Sequence, residues 1–114
     1  MDKIFNHSSE FMSEIPDKSV SLMVTSPPYN IDISYGNKWK NRRIVSSKGK
    51  KYADKQSEAD YRKMLGKVIK ETKRVLKDDG QIWFNIKNRY ENCVIQPPFW
   101  IMEYFKDMYL KNIV

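Results

Sequence analysis

The sequence predicts an α/β fold in which two parallel strands are joined by a crossover helix. An apolar, β-rich run at residues 20–25 is followed by a helical stripe at 61–76 and by a second apolar run at 81–86. Strand, loop, helix, turn and strand in that order are typical of a βαβ unit. The 114 residues suffice for one small domain, so we expect any enzyme read from them to be incomplete.

The composition excludes several classes of protein. Hydrophobic residues make up 40% of the chain and charged residues 31%, which is typical of a soluble globular protein. The chain has no run of about 18 apolar residues, and its N-terminus lacks the features of a signal peptide. We therefore expect a cytoplasmic protein without a membrane partner. A single cysteine and a single histidine exclude an internal disulfide and a structural zinc site, which needs about four ligands.

The net charge of +7 is concentrated in one stretch. Residues 38–77 contain fifteen basic and four acidic residues, a local charge of +11, whereas the rest of the chain carries −4. Clustered Lys and Arg neutralise phosphates, and aromatic residues among them can stack on bases; those in and beside this stretch are Tyr35, Trp39, Tyr52 and Tyr61. The predicted nucleic-acid contacts are Lys38, Lys40, Arg42, Arg43, Lys48, Lys50 and Lys51. A solvated basic face is the alternative.

The elements before the long helix can be predicted in chain order. Apolar residues at roughly helical spacing stop at Pro16 and predict a short helix ending near Glu14. The run at 20–25 is bounded by Pro27 and Pro28 and predicts a buried strand. Residues 31–56 show no period and contain glycines and many lysines, so we expect a long mobile basic loop.

The long helix and the strand after it have clear boundary signals. Ser57 and Asp60 form a capping box, and the apolar stripe behind them predicts a helix that ends at Asp78, Asp79 and Gly80. Gly80 is the expected left-handed cap, and residues 81–86 form the second strand. Two further elements are expected: a helix started by Pro97 and Pro98, and the first residues of a strand at 112–114.

The turn after the first strand is the candidate active site. Ligands of doubly wound folds bind at the carboxyl ends of strands, and two prolines fix the direction of the backbone carbonyls. The Ser26 hydroxyl and the Pro27 carbonyl could orient the hydrogens of an exocyclic amino group of adenine or cytosine, which frees its lone pair to attack a methyl donor. Tyr29 offers a flat face for a flipped base. The alternative is that Tyr29 packs in the core.

Three segments of the chain resemble one family. Residues 17–30, which read Asp-Lys-Ser-Val-Ser-Leu-Met-Val-Thr-Ser-Pro-Pro-Tyr-Asn, closely resemble the catalytic motif of the amino-methylating DNA methyltransferases. Those enzymes modify N6 of adenine or N4 of cytosine. Residues 76–86 and 96–100 resemble the segments that follow this motif in the family, so the likeness covers most of the chain from about Ile15 onward. A Ser before Pro-Pro-Tyr occurs in N4-cytosine enzymes and in some N6-adenine enzymes, which leaves the target base open.

The resemblance implies a partial, Rossmann-like methyltransferase fold and a role for each residue of the turn. Ser26 and Pro27 would accept the hydrogens of the target amino group, Pro28 would be a rigid spacer, and Tyr29 would stack on the base. The turn also lines the cofactor cleft in the family, so Ser26 and Tyr29 are candidate contacts of S-adenosylmethionine. No Gly-x-Gly occurs in the chain, so the glycine-rich cofactor half of the fold is missing from it.

The resemblance also implies partners. These are duplex DNA with a flipped target base, and a C-terminal segment or second chain that carries the cofactor loop. Residues 1–114 would be the catalytic segment of a restriction-modification type of enzyme, inactive in isolation. The alternative is a nucleic-acid-binding remnant of such an enzyme that catalyses nothing.

Four further residues are given structural roles. Cys93 lacks the Pro-Cys context of cytosine-C5 enzymes and is expected to be a small buried residue. Trp83 and Trp100 lie in apolar runs and are expected in the core. His7 is expected at the surface rather than as a catalytic base.

Overall fold

The structure is a computed structural model, and it describes residues 2–31 and 55–113. The described elements are β1 (Val20–Thr25), α1 (Glu58–Val75), β2 (Leu76–Phe84), β3 (Arg89–Glu91), β4 (Val94–Gln96) and a 3₁₀ helix, η1 (Phe99–Phe105). All but the ends of the predicted mobile loop lies outside the described residues, and so do the seven basic residues assigned to nucleic-acid contact: Lys38, Lys40, Arg42, Arg43, Lys48, Lys50 and Lys51.

The predicted βαβ unit is confirmed by strand pairing. β1 and β2 are parallel neighbours, with Met23 opposite Ile82 and Thr25 opposite Phe84. Between the pair formed by Val20 and Leu76 and the next pair the register shifts, so residues 77–80 bulge from the ladder.

The predicted role of Gly80 as a left-handed helix cap is wrong. α1 already ends at Val75, and Gly80 lies inside β2. A Cβ at Gly80 would lie 2.6 Å from Cγ of Leu76, and this crowding explains why a glycine is needed there. The helix stops early because Leu76 has turned to an extended backbone, although its N–H still donates to the Thr72 carbonyl.

The long helix forms where its capping box predicts. The Ser57 hydroxyl oxygen accepts a hydrogen bond from the backbone N–H of Asp60, 3.1 Å away, and donates to the Asp60 carboxylate at 2.7 Å. Glu58 and Asp60 in the first turn and Lys73 and Arg74 in the last turn complement the helix dipole. The buried stripe consists of Tyr61, Leu65, Ile69, Thr72 and Val75.

The core lies between α1 and one face of the sheet. Tyr61, Leu65 and Ile69 form a buried cluster with Ile101 of η1, and Phe84 of β2 packs against it. Each such aliphatic or aromatic side chain contributes roughly 1.5–3 kcal/mol when fully buried. Trp100 is half-buried beside this cluster, with its ring 6.2 Å from that of Tyr61, so its predicted core position is partly correct.

The opposite face of the sheet is bare among the described residues. Val24 and Trp83 are opposite each other in the ladder, and side chains alternate along a strand, so Leu22, Val24 and Trp83 share this face. They are 54%, 71% and 58% exposed, respectively. The predicted core position of Trp83 is therefore wrong. A parallel sheet normally has both faces covered.

The predicted N-terminal helix is not formed, and side chains of α1 bind backbone groups of this segment. The Arg74 guanidinium donates to the carbonyls of Met12, at 2.8 Å, and of Ile15, at 3.0 Å. The Glu71 carboxylate accepts from the Met12 N–H at 2.9 Å. Residues 2–16 contain turns instead of a helix. A hydrogen bond from Arg74, and then the one from Met12, lower the pKa of Glu71 to about 2.

The hairpin of β3 and β4 was not predicted. Its two-residue turn consists of Asn92 and Cys93, with φ of 49° and 64°, the positive values that a type I′ turn requires. Cys93 is exposed there, so its predicted burial is wrong. Arg89 ties the hairpin to α1, since its Nη2 lies 2.7 and 2.8 Å from the two Glu58 oxygens.

The C-terminal part agrees with the expectation in one element and differs in the other. The helix predicted after Pro97 and Pro98 is present as the 3₁₀ helix η1. The predicted strand start has no regular structure at residues 112 and 113, and Val114 lies outside the described residues. Within the part of the chain that the structure describes, no helix has the length and apolar composition needed to cross a membrane.

Candidate active site

The candidate site is the turn at the carboxyl end of β1, residues 26–29, which we call the Pro-Pro turn. β2 ends beside it, because Thr25 is opposite Phe84 and the Asn85 N–H donates to the Thr25 carbonyl at 2.9 Å. The Pro-Pro turn and Asn85 therefore leave the sheet side by side, at the edge where α/β folds bind ligands.

The inner side of the Pro-Pro turn is fixed by the core. Pro27 is buried, and the Pro28 carbonyl accepts a hydrogen bond of 2.7 Å from the Tyr61 hydroxyl. Tyr61 is 1% exposed, so the helix that forms the core also holds the turn in place. This burial corrects the prediction that Tyr61 is a stacking group for nucleic acid.

Asn30 links the end of the Pro-Pro turn to the start of α1. Its backbone has a φ of 56°, in the left-handed region that asparagine tolerates. Its side-chain amide pairs with the backbone of Gln56, donating to the carbonyl at 3.0 Å and accepting from the N–H at 2.6 Å. Both ends of the segment between them are thereby held next to the turn.

The outer side of the Pro-Pro turn is a polar ring of three side chains. The hydroxyls of Ser26 and Tyr29 share a hydrogen bond of 2.9 Å, in which either oxygen can donate. The Asn85 side-chain nitrogen lies 3.2 Å from the Tyr29 oxygen and 3.4 Å from the Ser26 oxygen. Ser26 and Asn85 are exposed and Tyr29 is half-buried, so this ring faces the solvent.

Tyr29 lies outside the core cluster, which is built from α1 and η1 with Phe84 against it. Within residues 2–31 and 55–113, no hydrogen bond is made to the Pro27 carbonyl. The turn thus presents one carbonyl, two hydroxyls and an aromatic ring within four consecutive residues.

A groove of about 340 Å³ runs beside the Pro-Pro turn. It is lined by residues 25–28, by residues 7–9, and by Met64, Leu65 and Val68 of α1. Of the two predicted cofactor contacts, Ser26 lines this groove and Tyr29 does not.

His7 lines the same groove but has both ring nitrogens engaged. Nδ1 lies 3.0 Å from the Ser8 carbonyl oxygen, and Nε2 lies 2.9 Å from a Glu14 carboxylate oxygen. The Ser8 carbonyl, followed by Glu14, raises the pKa of His7 because both acceptors favour the doubly protonated ring. This arrangement fits the predicted surface role of His7 rather than that of a base.

Asn85 is the site residue that the sequence reasoning missed. The signal for it is its position, since a polar residue directly after the second of two parallel strands lies beside the residue that follows the first. The structure brings together all four residues predicted for the turn, Ser26, Pro27, Pro28 and Tyr29, and adds Asn85 to them.

A parallel βαβ unit whose first strand ends in a rigid Ser-Pro-Pro-Tyr turn is compatible with part of a methyltransferase fold. Residues 20–114 match the family model described as DNA methylase, whose members are N6 and N4 methyltransferases. The chain therefore belongs to the amino-methylating DNA methyltransferase family.

Two curated relatives agree with this family. The chain is 36% identical over 87 residues to the type II methyltransferase M.BglII from Bacillus subtilis, an alignment covering 75% of this chain and 19% of that protein. It is 33% identical over 85 residues to the type II methyltransferase M.SfiI from Streptomyces fimbriatus, covering 75% of this chain and 18% of that protein. The aligned part thus spans about a fifth of the length of either relative.

Proposed function

We propose that this chain carries the catalytic turn for methyl transfer from S-adenosylmethionine to an exocyclic amino nitrogen, N4 of cytosine or N6 of adenine, in duplex DNA. The observation that carries the proposal is the Pro-Pro turn, whose acceptors stand at the carboxyl edge of the sheet in a member of the DNA methylase family. The type II names of the relatives support a place in a restriction-modification system. The cytoplasm is the proposed location of that system.

The chemistry of the proposed reaction requires acceptors rather than a strong base. The lone pair of an exocyclic amino group is delocalised into the base, which makes the nitrogen a poor nucleophile. The Ser26 hydroxyl oxygen and the Pro27 carbonyl would accept one amino hydrogen each and draw the nitrogen towards tetrahedral geometry. The freed lone pair would then bond to the methyl carbon as the carbon–sulfur bond of the sulfonium breaks and the neutral thioether leaves, and the extra proton would leave the nitrogen afterwards.

Tyr29 is the proposed stacking partner of the target base. A base must leave the duplex to reach the turn, and an aromatic face replaces the stacking it loses, a contact worth roughly 1–3 kcal/mol. The hydroxyl of Tyr29 is tied to Ser26 and Asn85, and these bonds hold the ring in one orientation. Lys38, Lys40, Arg42, Arg43, Lys48, Lys50 and Lys51 are the proposed contacts with the DNA backbone.

The groove beside the Pro-Pro turn fits the reactive end of S-adenosylmethionine. Its lining combines three serines with apolar residues of α1, which suits a charged amino acid group next to an apolar linker. When bound, the cofactor supplies an electrophilic methyl group on a sulfonium. The chain has no Gly-x-Gly loop for close backbone approach to the remainder of the cofactor.

The cofactor half is proposed to be a segment outside residues 1–114 or a second chain, and to cover the bare face of the sheet. Leu22, Val24 and Trp83 offer it an apolar surface, and the relatives are about five times as long as the aligned part. We call the combination of residues 1–114 with that half the assembled enzyme. The second candidate function, a nucleic-acid-binding remnant without activity, is favoured by the local charge of +11 in residues 38–77.

Methyl transfer with product analysis tests the proposal. The assembled enzyme is incubated with duplex DNA and S-adenosylmethionine labelled in the methyl group, and the DNA is digested to nucleosides. The expected label is in N4-methylcytosine or N6-methyladenine. Label in C5-methylcytosine, or DNA binding without any transfer, would contradict the proposal, and the latter result would establish the remnant.

Cofactor binding by the 114-residue chain alone is a separate test. We expect weak binding or none by calorimetric titration, because one open groove encloses only part of the ligand. Affinity tighter than about 10 µM, on the order of −7 kcal/mol, would show that the cofactor half is not missing.

A further inference from the structure

Asn85 has the position and the hydrogen-bond donors to control the outer side of the Pro-Pro turn. It follows β2 directly, and its backbone N–H is fixed on the Thr25 carbonyl at 2.9 Å. Its side-chain nitrogen is thereby held 3.2 Å from the Tyr29 oxygen and 3.4 Å from the Ser26 oxygen. A side-chain amide nitrogen only donates, whereas each hydroxyl both donates and accepts.

The N–H of the Asn85 side chain determines which of the two hydroxyls donates in the hydrogen bond between Ser26 and Tyr29. When Asn85 donates to the Tyr29 oxygen, the acceptor site of that phenol is filled and its O–H is left to donate. The nearest acceptor is the Ser26 oxygen at 2.9 Å. A phenol is also a stronger donor than an alcohol, since it is the more acidic of the two, which favours the same direction.

When the Tyr29 hydroxyl is the donor, the Ser26 oxygen keeps a lone pair that can accept a hydrogen of the target amino group, as amino methylation requires. A serine oxygen has two lone pairs, and the Tyr29 hydroxyl fills one of them. Among the described residues, the other lone pair faces the 3.4 Å contact with Asn85, which is long for a hydrogen bond and is readily displaced. We infer that Asn85 is a positioning residue, which acts through the Tyr29 hydroxyl to hold one Ser26 lone pair ready for a hydrogen of the target amino group. The inference rests on the proposed function.

The kinetic test compares two substitutions of Asn85 in the assembled enzyme. Asn85→Ala removes the donor and keeps the backbone N–H, and Asn85→Asp keeps the shape but replaces the donor by an acceptor. Each should lower kcat about two- to tenfold, the equivalent of one net hydrogen bond. The KM for DNA and the melting temperature should stay unchanged, since Asn85 is exposed and outside the core.

A double-mutant cycle shows whether Asn85 acts through Tyr29. Tyr29→Phe keeps the ring and removes the hydroxyl, so adding Asn85→Ala to it should lower kcat no further. Asn88→Asp makes the same change of charge three residues along the chain and is the matched control, which should keep the wild-type kcat. Additive losses, a wild-type kcat for Asn85→Ala, or full activity of Asn85→Asp would each overturn the inference.

Solvent exchange of the Asn85 side-chain amide tests the contact without any activity. In the ¹⁵N-labelled 114-residue chain, these protons should exchange about two- to tenfold more slowly than those of Asn88, and Tyr29→Phe should abolish the difference. Equal exchange in the wild type would overturn the inference even if methyl transfer is found. Slow exchange without methyl transfer by the assembled enzyme would instead refute the proposed function and, with it, the catalytic consequence for Ser26.

Discussion

The two faces of the β1–β2 sheet differ in what lies against them. On one face, Phe84 packs against the buried cluster of α1 and η1. On the other face, Leu22, Val24 and Trp83 remain more than half exposed. From the covered side, the Pro-Pro turn is fixed through the burial of Pro27 and the bond between Tyr61 and the Pro28 carbonyl.

The difference between the two faces shows that α1 supports the turn without any layer on the bare face of the sheet. The helix that follows β1 supplies most of the core cluster, the bond to Pro28 and part of the lining of the groove. The geometry of the turn is therefore set by the described residues, whereas the apolar residues of the bare face offer surface that a parallel sheet normally buries.

The largest expected effect is on the free energy of unfolding, and it compares a leucine on the covered side with a leucine on the bare face. Leu65 is fully buried, so Leu65→Ala should lower the free energy of unfolding by about 2–5 kcal/mol. Leu22→Ala, on the bare face, should cost less than about 1 kcal/mol. Denaturant unfolding of both variants of the 114-residue chain measures the difference. Equal losses would mean that the bare face is covered in solution.

An intermediate effect is expected on the pH dependence of stability, which depends on the polar contacts at the end of α1. The pKa of Glu71 is about 2 in the folded chain, below its usual 4.5, because Arg74 and the Met12 N–H bind its charged form. A lowered folded pKa contributes stability above the usual value and loses it as the pH falls towards 2.

Glu71→Gln should therefore destabilise the chain at neutral pH and flatten the fall in stability between about pH 4.5 and 2. Thermal unfolding across that range measures both effects, and Glu103→Gln, at an exposed position, is the matched control. The same slope in Glu71→Gln as in the wild type would show that Glu71 does not hold the segment before β1.

The smallest expected effect is optical. Trp83 is exposed whereas Trp100 is half-buried, so iodide should quench Trp83 more strongly. The fluorescence difference between wild type and Trp83→Phe isolates this residue. The proposed cofactor half should protect Trp83 from quenching when it is added. Unchanged quenching in the assembled enzyme would show that this half binds elsewhere.

The sequence predicted best those elements that have a regular pattern of apolar residues or a clear residue signal at their ends. Residues 20–25 are a mostly apolar run ended by two prolines, and α1 has a capping box and a regular apolar stripe. The errors arise where long-range contacts override local pattern. Arg74 and Glu71 form hydrogen bonds to the backbone of the segment before β1, and Gly80 lies in the bulge of β2.

The candidate site was predictable where its residues are neighbours in the sequence. The four residues of the Pro-Pro turn are adjacent in sequence, and their stiffness follows from the prolines alone. Asn85 lies 56 residues after Tyr29 and joins it only because the strands pair with Thr25 opposite Phe84. The register and its shift at the bulge are set by the pairing of the strands in the folded sheet.

The central claim is that the Pro-Pro turn performs amino methylation, and Tyr29→Ala in the assembled enzyme tests it most directly. Methyl transfer to duplex DNA should fall by about ten- to a hundredfold, the loss of one stacked base, while the melting temperature stays close to that of the wild type. A variant with normal turnover, or one whose loss of activity follows an equal loss of stability, would contradict the claim.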